Sequence, residues 1–243
     1  MPVTTYGLYL ESGPKRKKTM VHALDLLGCV AVGSTTDAAL AATPEAIRAY
    51  LRFLARHGER DLPSPDAPFE TRIVEHITEG AWLGNGSPYL IFDPDLEPLS
   101  DDEIETYLLR CQWLCGALAD WAEAQPEAAL TAVQGSGGRV ARAILLHVLG
   151  AQGSYLAAAL GSAPGFTALA SAAERGERPL ADALRQSAAL VAARVRATTP
   201  AERAAVRELS AGPRTLRKAL RRILEHSWEH LAELARRPDG PAL

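Results

Sequence analysis

Residues 214–237, RTLRKALRRILEHSWEHLAELARR, decide the fold of the larger part of this chain. Leu216, Leu220, Ile223, Leu231 and Leu234 recur at helical spacing, with Ser227 in the same row. One face is apolar and the rest is charged, the pattern of an amphipathic helix. His226 and His230 are four residues apart within it. At about 100° per residue, the two imidazoles stand one turn apart on one face. With the leucine stripe turned inward, His230 falls inside the buried arc and His226 near its edge.

Working back along the chain, three more helices of this kind appear. A second helix is predicted over about residues 138–160, with Val140, Ile144, His147, Ala151 and Tyr155 on one face. A third spans about 179–198 and carries Leu180, Leu184, Val191 and Val195. Ser100-Asp-Asp-Glu103 is a capping box, in which the serine oxygen accepts from the third helical N–H and the glutamate reaches back. It opens a helix running to about residue 125 through Ile104, Leu108, Cys111, Cys115, Leu118 and Ala122, and Pro126 helps end it. Thr199-Pro-Ala-Glu202 is a second capping box, with proline at the first helical position, and it starts a short extra helix. The glycine-rich GSGG (135–138) has no Lys-Ser/Thr after it and reads as a turn rather than a phosphate cradle. Residues 100–243 are therefore expected to form a four-helix bundle.

Upstream of residue 78 the period changes. TTYGLYLES (4–12) alternates, with Tyr6, Leu8 and Leu10 on one side, and reads as a strand. SGPKRKK is a turn with a basic tip (15–18), which on an exposed hairpin reads as solvated. TMVHALDLLGCVAVGS (19–34) supplies two further strands broken at Leu27-Gly28. TTDAALAATPEAIRAYLRFLARHG (35–58) is helical, with Ile47, Leu51 and Leu54 on one face. Pro44 is expected to kink or restart that helix, with Thr43 as the new N-cap. FETRIVEHI (69–77) is one more strand. The fold class is α+β: a small N-terminal β-β-β-α-β domain over 1–78, a linker over 79–99, and the bundle over 100–243. The Gly- and Pro-rich linker holds Trp82, Tyr89, Leu90, Ile91 and Phe92, which implies packing against something.

Composition narrows the function classes. A formal charge of -3 over 243 residues gives no global attraction to nucleic acid or anionic membrane. The N-terminus lacks the basic start and apolar run of a signal peptide, and no stretch approaches the ~20 consecutive apolar residues of a spanning helix. Three cysteines, Cys29, Cys111 and Cys115, are an odd and scattered set, which argues against a disulfide framework. A cytoplasmic, reduced protein without nucleic-acid or membrane partners is expected.

The histidines carry the chemistry. His147, His226 and His230 are expected to point from two helices into one bundle interior. Burying three unpaired imidazoles is costly, and a divalent metal relieves the cost by using their lone pairs. The residues alone also permit a blander reading: an HxxxH pair arises by chance on charged helices, and a single histidine on an apolar face is commonly a core residue. Cys111 and Cys115, also four apart, admit a mixed Cys/His site, although buried cysteines act by default as small apolar residues. His22, His57 and His76 share no spacing with the triad and have no assigned role. No Ser-His-Asp arrangement is evident.

LLHVLGAQGSYL (145–156), followed by RRILEHSWEHLAEL (221–234), resembles the DinB/YfiT-like superfamily, and GGRVARAILLHV fits its approach to the first histidine, with Arg139 in the customary basic position. The resemblance spans about residues 100–237. It implies a four-helix bundle with a divalent metal, zinc or nickel, held by His147, His226 and His230. It also implies a metal-activated low-molecular-weight thiol adding to an electrophile, so that the partners are a small-molecule substrate or thiol cosubstrate, and a homodimer. Gln152 stands where many members carry glutamate. Three protein nitrogens leave a coordination position free for water or substrate. Gln152, Tyr155, Glu225 and Glu229 are candidates to support the ligands, with Glu225 and Glu229 otherwise expected as solvated partners of Arg221 and Arg222. No residue is assigned to the chemical step itself, and no organic cofactor is expected.

DLLGCVAVGSTTDAALAATPEAIRAYLRFLARHGE (25–59), with the β-β-β-α-β order, resembles the HicB family of antitoxin-like domains over about residues 3–77. Leu27 replaces the family's usual proline, and KRKK replaces an acidic or polar hairpin tip. This implies an alternative function as an interaction or antitoxin-type protein with the bundle as scaffold or sensor. No basic recognition helix is apparent.

Overall fold

The structure, a computed structural model, describes residues 3–133, 139–210 and 212–243. The turn expected at 135–138 lies outside them. The chain is mixed α+β, a small N-terminal sheet followed by a helical region. It divides into two compact units: one holds residues up to 97 together with 207–214, and the other holds Pro98–Val206 with Thr215–Ala242.

In the first unit, β1 (Thr4–Ser12), β2 (Lys17–Ala23) and β3 (Val30–Thr35) form an antiparallel meander. Helix α1 (Thr36–Arg56) then crosses over, and β4 (Phe69–Ile77) returns parallel to β1, giving the order β3-β2-β1-β4. The alternation of β1 sends Tyr6, Leu8 and Leu10 into a core with Ile47, Leu51 and Leu54 of α1. The Thr35 hydroxyl caps α1 by accepting from the Ala38 N–H at 3.1 Å.

Two expectations for this unit are corrected. Helix α1 runs unbroken through Pro44. The proline deprives only the Leu40 carbonyl of its donor, and the Thr43 hydroxyl donates back to the Ala39 carbonyl at 2.9 Å instead of capping a new helix. Residues 79–97, expected as a linker, belong to the unit. Phe92, Leu83 and Leu90 are buried in a cluster with Tyr9, Leu24 and Ile77. The buried Glu11 carboxylate accepts from the Gly86 N–H at 2.5 Å and the Ser87 N–H at 3.0 Å. Apolar burial and a charged acceptor hold this segment without regular structure.

The second unit is helical. Helix α2 (Asp101–Ala124) opens on the expected Ser100–Glu103 capping box. The short α3 (Glu127–Thr131) follows, then α4 (Ala141–Leu160), α5 (Phe166–Glu174), α6 (Leu180–Arg196) and α7 (Pro200–Ala204), the last capped by Thr199 and Glu202. Strands β5 (Arg207–Leu209) and β6 (Gly212–Arg214) make the hairpin counted with the first unit, and α8 (Leu216–Ala235) ends the chain's regular structure. Helix α2 packs along α6 and α8, while α4 packs along α8 and α6. Leu114, Leu118, Leu145, Val148, Leu184, Val191, Leu220 and Ile223 are buried. Helices α3 and α5 and the β5–β6 hairpin were not foreseen from the sequence.

Gly153 is required by this packing. A Cβ there would lie 2.5 Å from Phe166 Cβ, so α5 approaches α4 only because position 153 has no side chain. Among the described helices, α4 is long and apolar enough by length and composition to cross a membrane, which the residue-by-residue reading did not register. Its Leu145, Val148, Leu149 and Leu156 are buried within the protein.

Candidate metal centre

Helix α8 begins where the Thr215 side chain accepts from the Lys218 N–H at 3.1 Å. From that cap its inner row, Leu216, Leu220, Ile223, Leu231 and Leu234, is buried as the spacing predicts. His226 and His230 are 5% and 4% exposed. Their rings lie 4.4 Å apart at right angles.

His147 arrives from α4, at 4.7 Å from the His226 ring and 5.3 Å from that of His230. It is exposed rather than inward. The buried face of α4 is instead Ile144, Leu145, Val148, Leu149 and Gln152. ILLHVLGA is apolar nearly all round, so periodicity could not select which side faces in. The exposed imidazole places one side of the cluster at solvent.

The nitrogens converge. His226 Nε2 is 3.0 Å from His147 Nε2 and 3.1 Å from His230 Nε2. One ligand atom from each of the three histidines falls within a common 4.8 Å. A single N–H on His226 Nε2 can point at only one of its two neighbours, so protons alone leave a lone-pair contact at about 3 Å. A tetrahedral zinc site with Zn–N near 2.0–2.1 Å separates its nitrogens by about 3.3 Å. The donor set therefore fits a divalent cation.

Glu233 was missed in the sequence. Its Oε2 lies 2.7 Å from His230 Nδ1, and Arg139 Nη2 donates to the same oxygen at 2.7 Å. Burial opposes ionisation of this carboxyl, but the His230 hydrogen bond and the Arg139 charge outweigh it and hold the pKa at about 2. An ionised carboxylate only accepts, so Nδ1 carries the hydrogen and Nε2 presents its lone pair to the cluster. The signal was available: a glutamate three residues after His230 shares its face. Arg237, from the end of α8, donates to the Arg139 carbonyl at 2.7 Å and ties that segment down.

Burial pushes the His226 pKa well below 6.5, and His230, Arg222 and His147 push in the same direction. His147 is lowered by burial first and then by His230 and Arg139. Both imidazoles are thereby kept neutral, the form that ligates.

The other candidates are distributed unevenly. Tyr155 stands edge-on to His226 at 6.0 Å. Gln152 is buried, donating to Cys115 Sγ at 3.1 Å and to Ser227 at 3.5 Å, and its Oε1 has no hydrogen-bond partner among the described residues. Glu229 is half-buried and makes no hydrogen bond or ion pair among the described residues. Glu225, expected in solvent, is buried. The expected pairing exists, Arg222 Nη1 donating at 2.6 Å and Arg221 Nη1 at 3.1 Å, but all three side chains are 1% exposed. Pairing is what allows such charges to be buried. Cys29, Cys111 and Cys115 are buried and form no disulfide among the described residues.

A family model described as the DinB superfamily matches residues 113–234, half of the chain, and the matched span contains all three histidines. No curated protein and no solved structure matches.

Proposed function

The chain belongs to the DinB superfamily, and on that premise we propose that its four-helix bundle is a divalent-metal centre, zinc or nickel, acting on small molecules. His147, His226 and His230 are the ligands. The observation that carries this reading is the convergence of three ring nitrogens within 4.8 Å, with the His230 ring oriented by the half-buried Glu233 carboxylate.

A bound metal supplies a Lewis acid at an open position, where it lowers the pKa of a thiol or water. The protein's part is orientation. Glu233 fixes the His230 tautomer, and exposed His147 marks the side from which substrate enters. Tyr155, whose ring stands edge-on to that of His226 at 6.0 Å, is the proposed donor to a bound ligand. The first reaction to test is transfer of a low-molecular-weight thiol to an electrophilic carbon: the S–H proton goes to solvent, the C–S bond forms, and the electron pair of the carbon–oxygen or carbon–halogen bond that breaks stays with the departing oxygen or halide.

The test is elemental analysis of protein purified without a histidine tag, beside a His226→Ala/His230→Ala variant. About one zinc or nickel per chain, absent from the variant, supports the site and justifies thiol-transfer screening. No metal in the wild type after reconstitution at neutral pH removes the enzyme reading.

A second reading rests on the β-β-β-α-β order of the first unit, on which the HicB resemblance depends. In it the N-terminal unit covers a protein partner and the bundle is scaffold. Function intact after loss of any one histidine favours it.

A further inference from the structure

The first unit holds an aromatic side chain out in solvent at some conformational cost. Gly80, Trp82, Gly84 and Gly86 all have positive φ, at 145°, 64°, 79° and 71°. Glycine adopts such angles freely. A bulky residue does not, so Trp82 is strained, and strain of this kind persists only where the surroundings over-determine it.

The surroundings are visible. A side chain at Gly84 would overlap the Lys18 carbonyl. Glu11 accepts from the Gly86 and Ser87 amides. The Ser87 hydroxyl donates to the Ala81 carbonyl at 2.7 Å, and Lys18 Nζ donates to Asn85 Oδ1 at 2.5 Å. Leu83, next in the chain, is buried, whereas Trp82 is 68% exposed. The loop is anchored on both sides of an indole that it does not bury.

Beside that indole runs an open groove of about 680 Å³ lined by Trp82, Tyr89, Ile77, Leu90 and Ile91. That is the size of a small-molecule site. Its one charged lining residue is Glu79, which is exposed and makes no hydrogen bond or ion pair among the described residues. The Arg214 guanidinium lies 5.4 Å from the Tyr89 ring centroid, so one face of that ring already carries a cation. The Trp82 indole has no such partner among the described residues. A tryptophan face attracts positive charge more strongly than any other side-chain ring, and the unpaired carboxylate adds to it.

We infer that this groove binds a flat aromatic organic cation, stacked on Trp82 with its charge toward Glu79. The aromatic and aliphatic lining supplies apolar area, and the indole face and the carboxylate select the sign of the charge.

Thioflavin T, a planar aromatic cation, is the probe, titrated by fluorescence into the full chain. 1-Anilinonaphthalene-8-sulfonate is the anionic control and 2-phenylbenzothiazole the neutral one. Saturable binding of one thioflavin T per chain is expected. Trp82→Ala should weaken it about tenfold, since it removes both ring stacking and the cation–aromatic contact, and Glu79→Gln about two- to fivefold, the range of an exposed charge. Both side chains are exposed, so thermal midpoints should not move. His226→Ala should leave binding unchanged, which separates this groove from the metal centre. Absence of saturable binding, equal affinity for the anionic or neutral control, or a Trp82→Ala variant within twofold of wild type would overturn the inference.

Discussion

Replacing Glu233 isolates the part of the centre that the histidine spacing alone did not single out. The carboxylate accepts from His230 Nδ1 at 2.7 Å, is 26% exposed, and is itself held by Arg139. Removing such a partner from a ligating imidazole costs about 10–100-fold in metal affinity, which is about 1.4–2.7 kcal/mol. Glu233→Gln keeps an acceptor but loses the charge, and a charge-assisted hydrogen bond is roughly twice as strong as a neutral one. It belongs near the lower limit, about tenfold. Glu233→Ala also frees the tautomer and strands Arg139, which places it near about 100-fold. The assay is a zinc titration against a competing chelator at pH 7.5, with thermal melts of the metal-free proteins alongside. The order should be wild type, then Gln, then Ala, with metal-free melting points close together. An alanine variant that binds zinc within twofold of wild type refutes the idea that Glu233 sets the His230 tautomer.

Gly153→Ala and Gly150→Ala should move stability in opposite directions, although they sit one turn apart on α4. The first puts a Cβ against Phe166, while the second meets nothing within 4 Å. Overpacking costs about 1–3 kcal/mol against about 1 kcal/mol of helix propensity gained, so urea midpoints should fall for residue 153 and rise for residue 150, and the reverse order contradicts the α4–α5 packing. Glu103 is bonded by both Arg217 guanidinium nitrogens and by Ser100; burial opposes these bonds, yet they hold its pKa at about 2. Because that value lies below the unfolded one, its stabilisation is present above pH 4.5 and disappears as the pH falls toward 2. Glu103→Gln should therefore cost about 1 kcal/mol at pH 7, the scale of a lost helix-cap partner, and the gap to wild type should close in unfolding curves at pH 2–3. His226, pushed below 6.5 by burial and its neighbours, should keep bound zinc as the pH passes down through 6.5. Equilibrium dialysis across that range checks this, and release centred above 6.5 would contradict it. In the metal-free protein the unfolded state takes up the proton first, so stability should decline on acidification from 6.5.

What was legible in advance was local. The Ser100–Glu103 and Thr199–Glu202 capping boxes are contacts across three residues, and both are present. The four long helices fall where their apolar spacing put them, within a few residues. His226 and His230 share a face because one helical turn separates them. The meander of β1, β2 and β3 followed by α1 and β4 was also readable, since alternation in 4–12 and a helical period in 35–58 belong to different elements.

The errors have a common origin. Pro44 was expected to break α1, but the rest of that helix buries Ile47, Tyr50, Leu51 and Leu54, and this packing outweighs one lost backbone bond. Residues 79–97 looked like a linker because their composition is that of a loop, yet Phe92 is fully buried. Glu225 looked solvated because charged residues usually are.

The sequence by itself determined the four long helices, the strands of the meander, two capping boxes and the shared face of His226 and His230, because each depends on backbone sterics and hydrogen bonds within a few residues. Only the tertiary structure decided that His147 meets that pair from the exposed side of α4. It also decided that Arg139 meets Glu233, and that residues 207–214 belong with the sheet rather than with the helices on either side of them. Those outcomes depend on which apolar faces are buried together across separations of about eighty residues or more. That is a property of the packed chain as a whole, and an all-apolar helix such as α4 leaves its own orientation open until its neighbours are in place.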